Sequence, residues 1–267
     1  MAIAENYNTL PINLKSGSLE VRLAENSVEI DAAQALRYQI FYEEMKAKAT
    51  IKQNKLKRDI DDFDHHFDHI LVFDNNIGGT VKEKVIGTYR LNRGNSYNKE
   101  NLFYTSNEYD INPLTNYKGN ILELGRSCVA KDYRTGSTMQ LLWSFIAQYV
   151  LKYDIDIMFG CASFPGIEPE LHKTAFDYLY RNYLAPNNIR PKALKNRYIR
   201  MKNENIIKCS FKDFLALIPP LIKGYIRLGA FIGDGAVIDY DFNTTDVCIV
   251  LPTEKIASRY KLHYDRK

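Results

Sequence analysis

Leu122-Glu123-Leu124-Gly125-Arg126-Ser127-Cys128-Val129, followed by Tyr133-Arg134-Thr135-Gly136-Ser137-Thr138 and the apolar run Met139 to Leu151, decides how this chain is read. The order is a strand, a glycine-bearing loop and a helix. A mostly apolar strand that carries one carboxylate and one guanidinium, then delivers the chain to a helix N-terminus, sets a potential base near backbone N–H groups that receive anions well. That combination suits acyl transfer. Amide formation from a thioester needs an acceptor for the amine proton, because an α-amino group of reference pKa about 7.7–8.0 is largely protonated near neutrality. Glu123 is the candidate base, directly or through a water, and the N–H groups near Val129 and at the start of the Ser137 helix are candidate donors to the oxyanion. Alternation along a strand points Glu123 and Arg126 to opposite faces unless a bulge intervenes.

Outward from this stretch, strands and helices alternate. Asp31 caps an expected helix running to about Lys48, with Ala32, Ala35, Leu36, Ile40, Phe41 and Met45 at helical spacing. Arg37, Phe41 and Glu44 fall within one stripe of that helix. Ile70 to Phe73, a turn at Asn75 to Gly79, and Lys84 to Leu91 read as two antiparallel strands. Residues 92–120 read as a polar surface excursion, Ile155 to Cys161 as a strand, and Glu168 to Tyr183 as a helix. This alternation implies an α/β layer fold over roughly residues 19–185, after a loosely held N-terminus at 1–18. Residues 186–267 form a basic connector and a C-terminal elaboration, with a helix near Phe211 to Leu217 and a strand at Val247 to Leu251.

The bulk numbers narrow the class. A chain of 267 residues, 45% hydrophobic and 25% charged, excludes disorder of the whole. Cys128, Cys161, Cys209 and Cys248 are too far apart for a zinc ribbon or a dithiol motif, which fits a reduced, cytoplasmic protein. Met1 to Leu10 lacks the pattern of a cleaved signal, and no apolar run approaches the ~20 residues of a membrane span. Between Arg190 and Arg227 ten basic residues face two acidic ones, a local charge of +8 in a chain whose formal net charge is +4. Such a field attracts an acidic partner: acyl carrier protein, anionic lipid headgroups at the inner membrane face, or nucleic acid. Nucleic acid is the weakest of these, since no recognition motif accompanies the charge, and a plain solvated face is the remaining alternative.

Glu123-Leu124-Gly125-Arg126-Ser127-Cys128-Val129, Gly87-Thr88-Tyr89-Arg90 and the tail from Pro219 to Leu251 resemble the ornithine acyltransferases, a GNAT-like family related to the autoinducer synthases. The resemblance covers about Leu36 to Leu251. It implies a GNAT-like acyl-CoA N-acyltransferase fold, with a mixed central sheet flanked by helices. The implied activity moves a 3-hydroxyacyl group from acyl carrier protein to the α-amine of L-ornithine. The donor is then the phosphopantetheine of the carrier protein, and no cofactor is bound. Another acceptor such as glycine or lysine, autoinducer lactone synthesis, and a non-catalytic peripheral membrane protein are the competing readings.

The remaining candidates follow from both sources. Arg126 and Ser127 accompany Glu123 as catalytic candidates. Arg37-x-x-x-Phe41-x-x-Glu44 and Asp62-Phe63-Asp64 resemble motifs of the autoinducer synthases, which also bind a cationic co-substrate. Asp62 or Asp64 would hold the side-chain ammonium of ornithine, and Arg37 or Arg90 its carboxylate, since a guanidinium pairs with carboxylate in bidentate fashion. Arg134-x-Gly136-x-Thr138 partly resembles the acetyltransferase loop that binds coenzyme A. His65 and His69, four apart with carboxylates between, have metal-ligand spacing on a helix, but the resemblance brings no metal and none is expected. Tyr178 and Tyr180 are candidate acids for the leaving thiolate, and a covalent role for Ser127 or Cys128 lacks an accompanying base in a placeable order.

Overall fold

The computed structural model describes residues 12–95, 103–205 and 208–254. Along the chain run β1 (Asn13–Ser16), β2 (Leu19–Leu23), α1 (Ser27–Arg37), α2 (Ile51–Leu56), β3 (Asp68–Asp74), α3 (Val81–Lys84), β4 (Val85–Asn95), β5 (Tyr109–Asp110), α4 (Asn112–Thr115) and β6 (Asn120–Val129). Then follow α5 (Gly136–Lys152), β7 (Ile155–Pro165), α6 (Lys173–Tyr183), β8 (Lys192–Ala193), α7 (Phe211–Leu217), α8 (Pro220–Leu228), β9 (Phe231–Asp239) and β10 (Thr244–Pro252). They fall into two compact units. The first takes the chain up to Asn92 and from Leu124 to Ile155, the second Arg93–Glu123 and the chain from Asp156 onward.

In the first unit the strand order is β1-β2-β3-β4-β6. The β1–β2 hairpin, Ser16 opposite Leu19, turns through Gly17 at φ 60°, a left-handed conformation that glycine adopts without steric cost. β1 occupies part of a segment expected to be loose, because Asn13 to Ser16 find backbone partners on β2; residues 1–11 lie outside the described residues. α1 begins at Ser27, earlier than Asp31 suggested, because the Asn26 side chain accepts from the Glu29 N–H. The Glu29 carboxylate in turn receives both Arg22 terminal nitrogens, at 2.8 and 2.6 Å. Past Arg37 the helix widens to a π-helix over Tyr38–Glu44 and stops there, short of Lys48. The wider turn breaks the expected common stripe: Arg37 is fully buried, Phe41 half-buried and Glu44 exposed. Ala32, Leu36 and Ile40 pack with Leu71, Phe73, Val85 and Cys128 to form this unit's core.

In the second unit the order is β7-β10-β9-β8-β5, with β8–β9 parallel and the other pairs antiparallel. The sheet is therefore mixed. Residues expected as a polar excursion between 92 and 120 instead supply Phe103, Tyr109, Ile111 and Leu114 to the core, packed with Ile121, Phe159, Val237 and Val250. Four apolar side chains spread among polar ones escape a periodicity search, yet each is at most 6% exposed. The C-terminal elaboration contributes two long strands. β9 was not foreseen, and it pairs with β10 around Asn243, whose φ is 56°. α8 starts on Pro220 and ends at Gly229, where φ 96° closes the helix in a left-handed cap.

Candidate functional site

Within the first unit three guanidiniums and three carboxylates form one network, buried except at Asp61 and Arg126, which are partly exposed. Arg37 donates through Nε to Asp59 at 2.7 Å and through Nη2 to Asp64 at 2.8 Å. Arg90 Nη1 reaches Asp61 at 2.6 Å and Asp64 at 2.9 Å, and its guanidinium lies over the Phe67 ring, 4.6 Å from the centroid. Arg126 donates to Asp59 and Asp61, both at 3.2 Å. The formal charges cancel, which is why the group survives burial. Burial opposes ionisation of the Asp59 carboxyl, but the Arg126 and Arg37 charges overcome it and bring the pKa down to about 2. Asp64 is lowered for the same reason, burial being outweighed by Arg37 and Arg90. The Tyr42 hydroxyl is pushed up by burial and by Asp59, to which it donates at 3.0 Å.

This network revises the expected acceptor site. Arg37 and Arg90 do not present guanidiniums to a substrate carboxylate, because aspartates of the same unit hold them. Asp64 is not an open ammonium site: two guanidiniums and the Gln34 amide already surround it. Asp62 alone of the pair is exposed. His65 and His69 do not share a helix face, since residues 62–66 are turn and β3 begins at Asp68. His69 is buried with Nε2 3.0 Å from the Asp64 carbonyl, and burial with the Arg37 charge lowers its pKa, so it is neutral. Asp59, the hub of the network, lies three residues before Asp62-Phe63-Asp64, and no motif marks it in the sequence.

Arg126 takes φ 51°, a left-handed conformation unusual for a residue with a Cβ, and it interrupts the alternation of β6 at that point. Two ion pairs hold the side chain while the backbone sits there. Ser127 follows, partly buried. Cys128 is buried, and burial pushes its thiol up to about 12, which leaves it a protonated core residue rather than a nucleophile. Arg134 forms a bidentate pair with Glu44 at 2.5 and 2.7 Å. Arg134 and Glu44 thus engage each other, and the exposed Gly136 opens α5 with no side-chain cap on its first turn.

Glu123 belongs to the second unit and is 1% exposed. Its Oε1 accepts from the Thr105 N–H and the Thr105 hydroxyl, both at 2.6 Å, and its Oε2 accepts from the Tyr104 N–H at 3.0 Å. Three donors aimed at one carboxylate favour the ionised form and fix its orientation. Thr105 was invisible in the sequence, since nothing marks a short 3₁₀ turn at Tyr104–Asn107 as the partner of a strand glutamate. Tyr178 is stacked on Phe214, centroids 4.2 Å apart, a packing role. Of the basic segment, Arg190 and Arg197 donate to backbone carbonyls of Ala185, Asn107 and Ile238, whereas Lys195, Lys202, Lys208 and Lys212 are exposed. Among the described residues no helix is long and apolar enough to cross a membrane.

A family model described as acetyltransferase (GNAT) domain matches residues 36–144. The L-ornithine N(alpha)-acyltransferase of Agrobacterium fabrum is 46% identical over 93% of this chain and 85% of its own length. That of Rhizobium meliloti is 47% identical over 92% of this chain and 84% of its own. Among solved structures FeeM, an N-acyl amino acid synthase from uncultured soil microbes, has a TM-score of 0.47 at 12% identity, covering 93% of this chain and 95% of that one.

Proposed function

The chain belongs to the L-ornithine N(alpha)-acyltransferase family, and on that premise we propose that it transfers a 3-hydroxyacyl group from acyl carrier protein to the α-amine of L-ornithine, giving a lyso-ornithine lipid. It is an acyltransferase with a GNAT-like fold. The observation that carries the finer reading is extent: the GNAT model stops at residue 144, whereas the likeness to the named relatives spans 93% of the chain. The match therefore includes most of the second unit and its tail, which a generic acetyl transfer does not require.

In the proposed reaction the amine nitrogen attacks the thioester carbonyl, and Glu123 takes the amine proton through one water. The carboxylate's three donors support this role by keeping it ionised and aimed, while its burial makes the water necessary. The tetrahedral oxyanion collapses with loss of the C–S bond, and the proton taken by Glu123 returns through the water to the departing sulfur, so that the carrier's phosphopantetheine leaves as a thiol. Within the first unit, the first turn of α5 has no side-chain cap and offers N–H groups of the kind that receive an anion such as a phosphate. The product is an amphiphile. Exposed Phe211 and Leu217 on α7, beside Lys208 and Lys212, suit contact with an anionic bilayer that would receive it. Purified protein given 3-hydroxyacyl-carrier-protein and L-ornithine should yield a species of the mass of Nα-(3-hydroxyacyl)ornithine, and its absence with active carrier present would end this reading.

A further inference from the structure

The first unit carries a basic stretch that neither the proposed chemistry nor the charged network uses. Over residues 45–58 the chain reads Met-Lys-Ala-Lys-Ala-Thr-Ile-Lys-Gln-Asn-Lys-Leu-Lys-Arg, six basic residues and no acidic one. Arg58 is paired with Asp31, at 2.7 Å through both Nε and Nη2. Lys46, Lys48, Lys52, Lys55 and Lys57 are all exposed. Lys46 bonds to the Glu43 carbonyl and Lys57 to the Tyr38 hydroxyl and the Asn54 side chain, and among the described residues none of the five lysines pairs with a carboxylate. Large apolar side chains stand among them: Ile51 is 91% exposed, Leu56 47% and Met45 46%.

The stretch has a fixed shape. Lys46 at φ 64° and Lys57 at φ 54° bound it with left-handed turns, and Thr50 and Gln53 close a capping box at the start of α2 with bonds of 2.9 and 3.2 Å. α2 is held on the unit by its polar side. Gln53 Nε2 donates to the Tyr42 hydroxyl at 3.1 Å and to the Ile60 carbonyl at 3.2 Å, and the Asn54 side chain accepts from the Tyr38 hydroxyl at 2.7 Å. At about 100° per residue, Ile51, Lys55, Lys52 and Leu56 fill an arc of about 140°, and Gln53 and Asn54 lie outside it. A surface helix ordinarily buries its apolar stripe. α2 buries none of its residues and turns both of its aliphatic side chains to solvent with lysines between them.

We propose that α2 and its flanks, residues 45–58, dock the first unit on an anionic lipid bilayer, the lysines meeting lipid phosphates while Ile51 and Leu56 enter the headgroup region. This surface belongs to a different unit from Phe211 and Leu217 of α7. Charge complementarity selects the occupant: each lysine near an anionic membrane surface raises affinity about fivefold. An acidic protein is the weaker fit, because lysine is depleted from protein interfaces, whereas aliphatic side chains flanked by lysines that extend to the phosphates suit shallow entry into a bilayer.

The test is flotation of the full chain, without donor or acceptor, with vesicles of phosphatidylcholine alone and of phosphatidylcholine and phosphatidylglycerol in equal parts. The unmodified protein should bind the anionic vesicles, leave them as salt rises, and ignore the neutral ones. Lys52→Glu with Lys55→Glu should weaken binding at least about tenfold. Ile51→Ser with Leu56→Ser should weaken it about tenfold and leave the salt dependence in place. Because α2 buries none of its residues these variants should fold, which circular dichroism checks. Ile51→Trp, a single exposed change, decides should a double variant not fold: it should add emission that bromine-bearing lipids quench, over the signal of the chain's single tryptophan, Trp143. Unaltered binding by both double variants, an added emission that the brominated lipid leaves unquenched, equal binding to neutral vesicles, or binding to neither overturns the assignment. Normal vesicle binding with a raised KM for acyl carrier protein in the lysine variant would make the stretch a carrier-docking surface and overturn it too. Binding is read without substrates, so its failure leaves acyl transfer standing, and an absence of acylornithine leaves the docking surface standing.

Discussion

Replacing Asp59 by asparagine keeps the shape of the side chain and removes one of the three negative charges that balance Arg37, Arg90 and Arg126. Asparagine still accepts one hydrogen bond, but Arg37, fully buried, loses the charge 2.7 Å from its Nε. The network is left with a net positive charge around the fully buried Arg37. Breaking a buried pair by removing one partner typically costs about 3–5 kcal/mol, a large part of the roughly 5–15 kcal/mol that holds a protein folded. A second estimate comes from titration. Asp59 falls from an ordinary aspartate value of 3.8 to about 2 in the folded protein, so its ionised form contributes about 2 kcal/mol. The sign follows from the direction: a lowered carboxyl stabilises above its unfolded pKa, and the contribution disappears as pH falls from 3.8 through about 2. Urea unfolding of Asp59→Asn at pH 7 should therefore show a loss of about 2–5 kcal/mol with little change in slope. The acid limb of the stability profile should be shallower than in the unmodified protein, and Asp59→Leu with Arg37→Met should recover part of the loss. A cost under about 1 kcal/mol would show that the network is not a charge-balanced unit and that water reaches it.

Glu123→Gln should fold and lose about 10²–10⁴ in turnover, the usual contribution of one general base, and a near-normal rate would remove Glu123 from the mechanism. Thr105→Val deletes the hydroxyl 2.6 Å from Glu123 Oε1, so the acid limb of the rate–pH profile should move to higher pH, a shift that a purely structural role would not produce. Reversing Lys195, Lys202, Lys208 and Lys212 to Glu should slow reaction with acyl carrier protein and flatten its salt dependence while sparing a short acyl-pantetheine donor; equal loss with both would make the segment structural. Because Glu108 is raised from 4.5 to about 8, the folded state retains a proton that the unfolded chain gives up, so stability should fall as pH rises through that window; in Glu108→Gln the fall should flatten, and unchanged steepness would contradict a protonated Glu108 in the core.

What the sequence revealed divides by the range of the signal. α5 and β7 were legible because their apolar runs are long and bounded by Gly136 and Asp154-side turns, so local pattern and final packing agree. The first helix was legible in existence but not in pitch. Nothing in Tyr38 to Glu44 announces a π-helix, and the change of pitch decides that Arg37 is buried while Glu44 faces outward. β9 contains Gly233 and Gly235, which depress strand propensity, and tertiary pairing with β10 overrides them. Gly235 in fact sits at φ 90° against the Tyr198 ring, where a Cβ would approach to 2.5 Å, so the residue that argued against a strand is required by its neighbour.

The site residues show a deeper limit. A motif reports that carboxylates and guanidiniums occur together, but not which of them neutralise one another. Asp64 and Asp62 are two residues apart and chemically alike, yet one is held between Arg37 and Arg90 and the other is exposed. Glu108 drew no attention because it stands alone in its stretch, and only the fold brings Asp246 beside it from 138 residues away, the difference between the two sequence numbers. Charge balance is the criterion that separates these cases. Asp59, Asp61 and Asp64 have their cations within the protein, so they serve folding and the placement of Arg126. Glu108 is raised instead to about 8 by burial and by the charges of Asp246 and Asp239, so it holds a proton near neutrality.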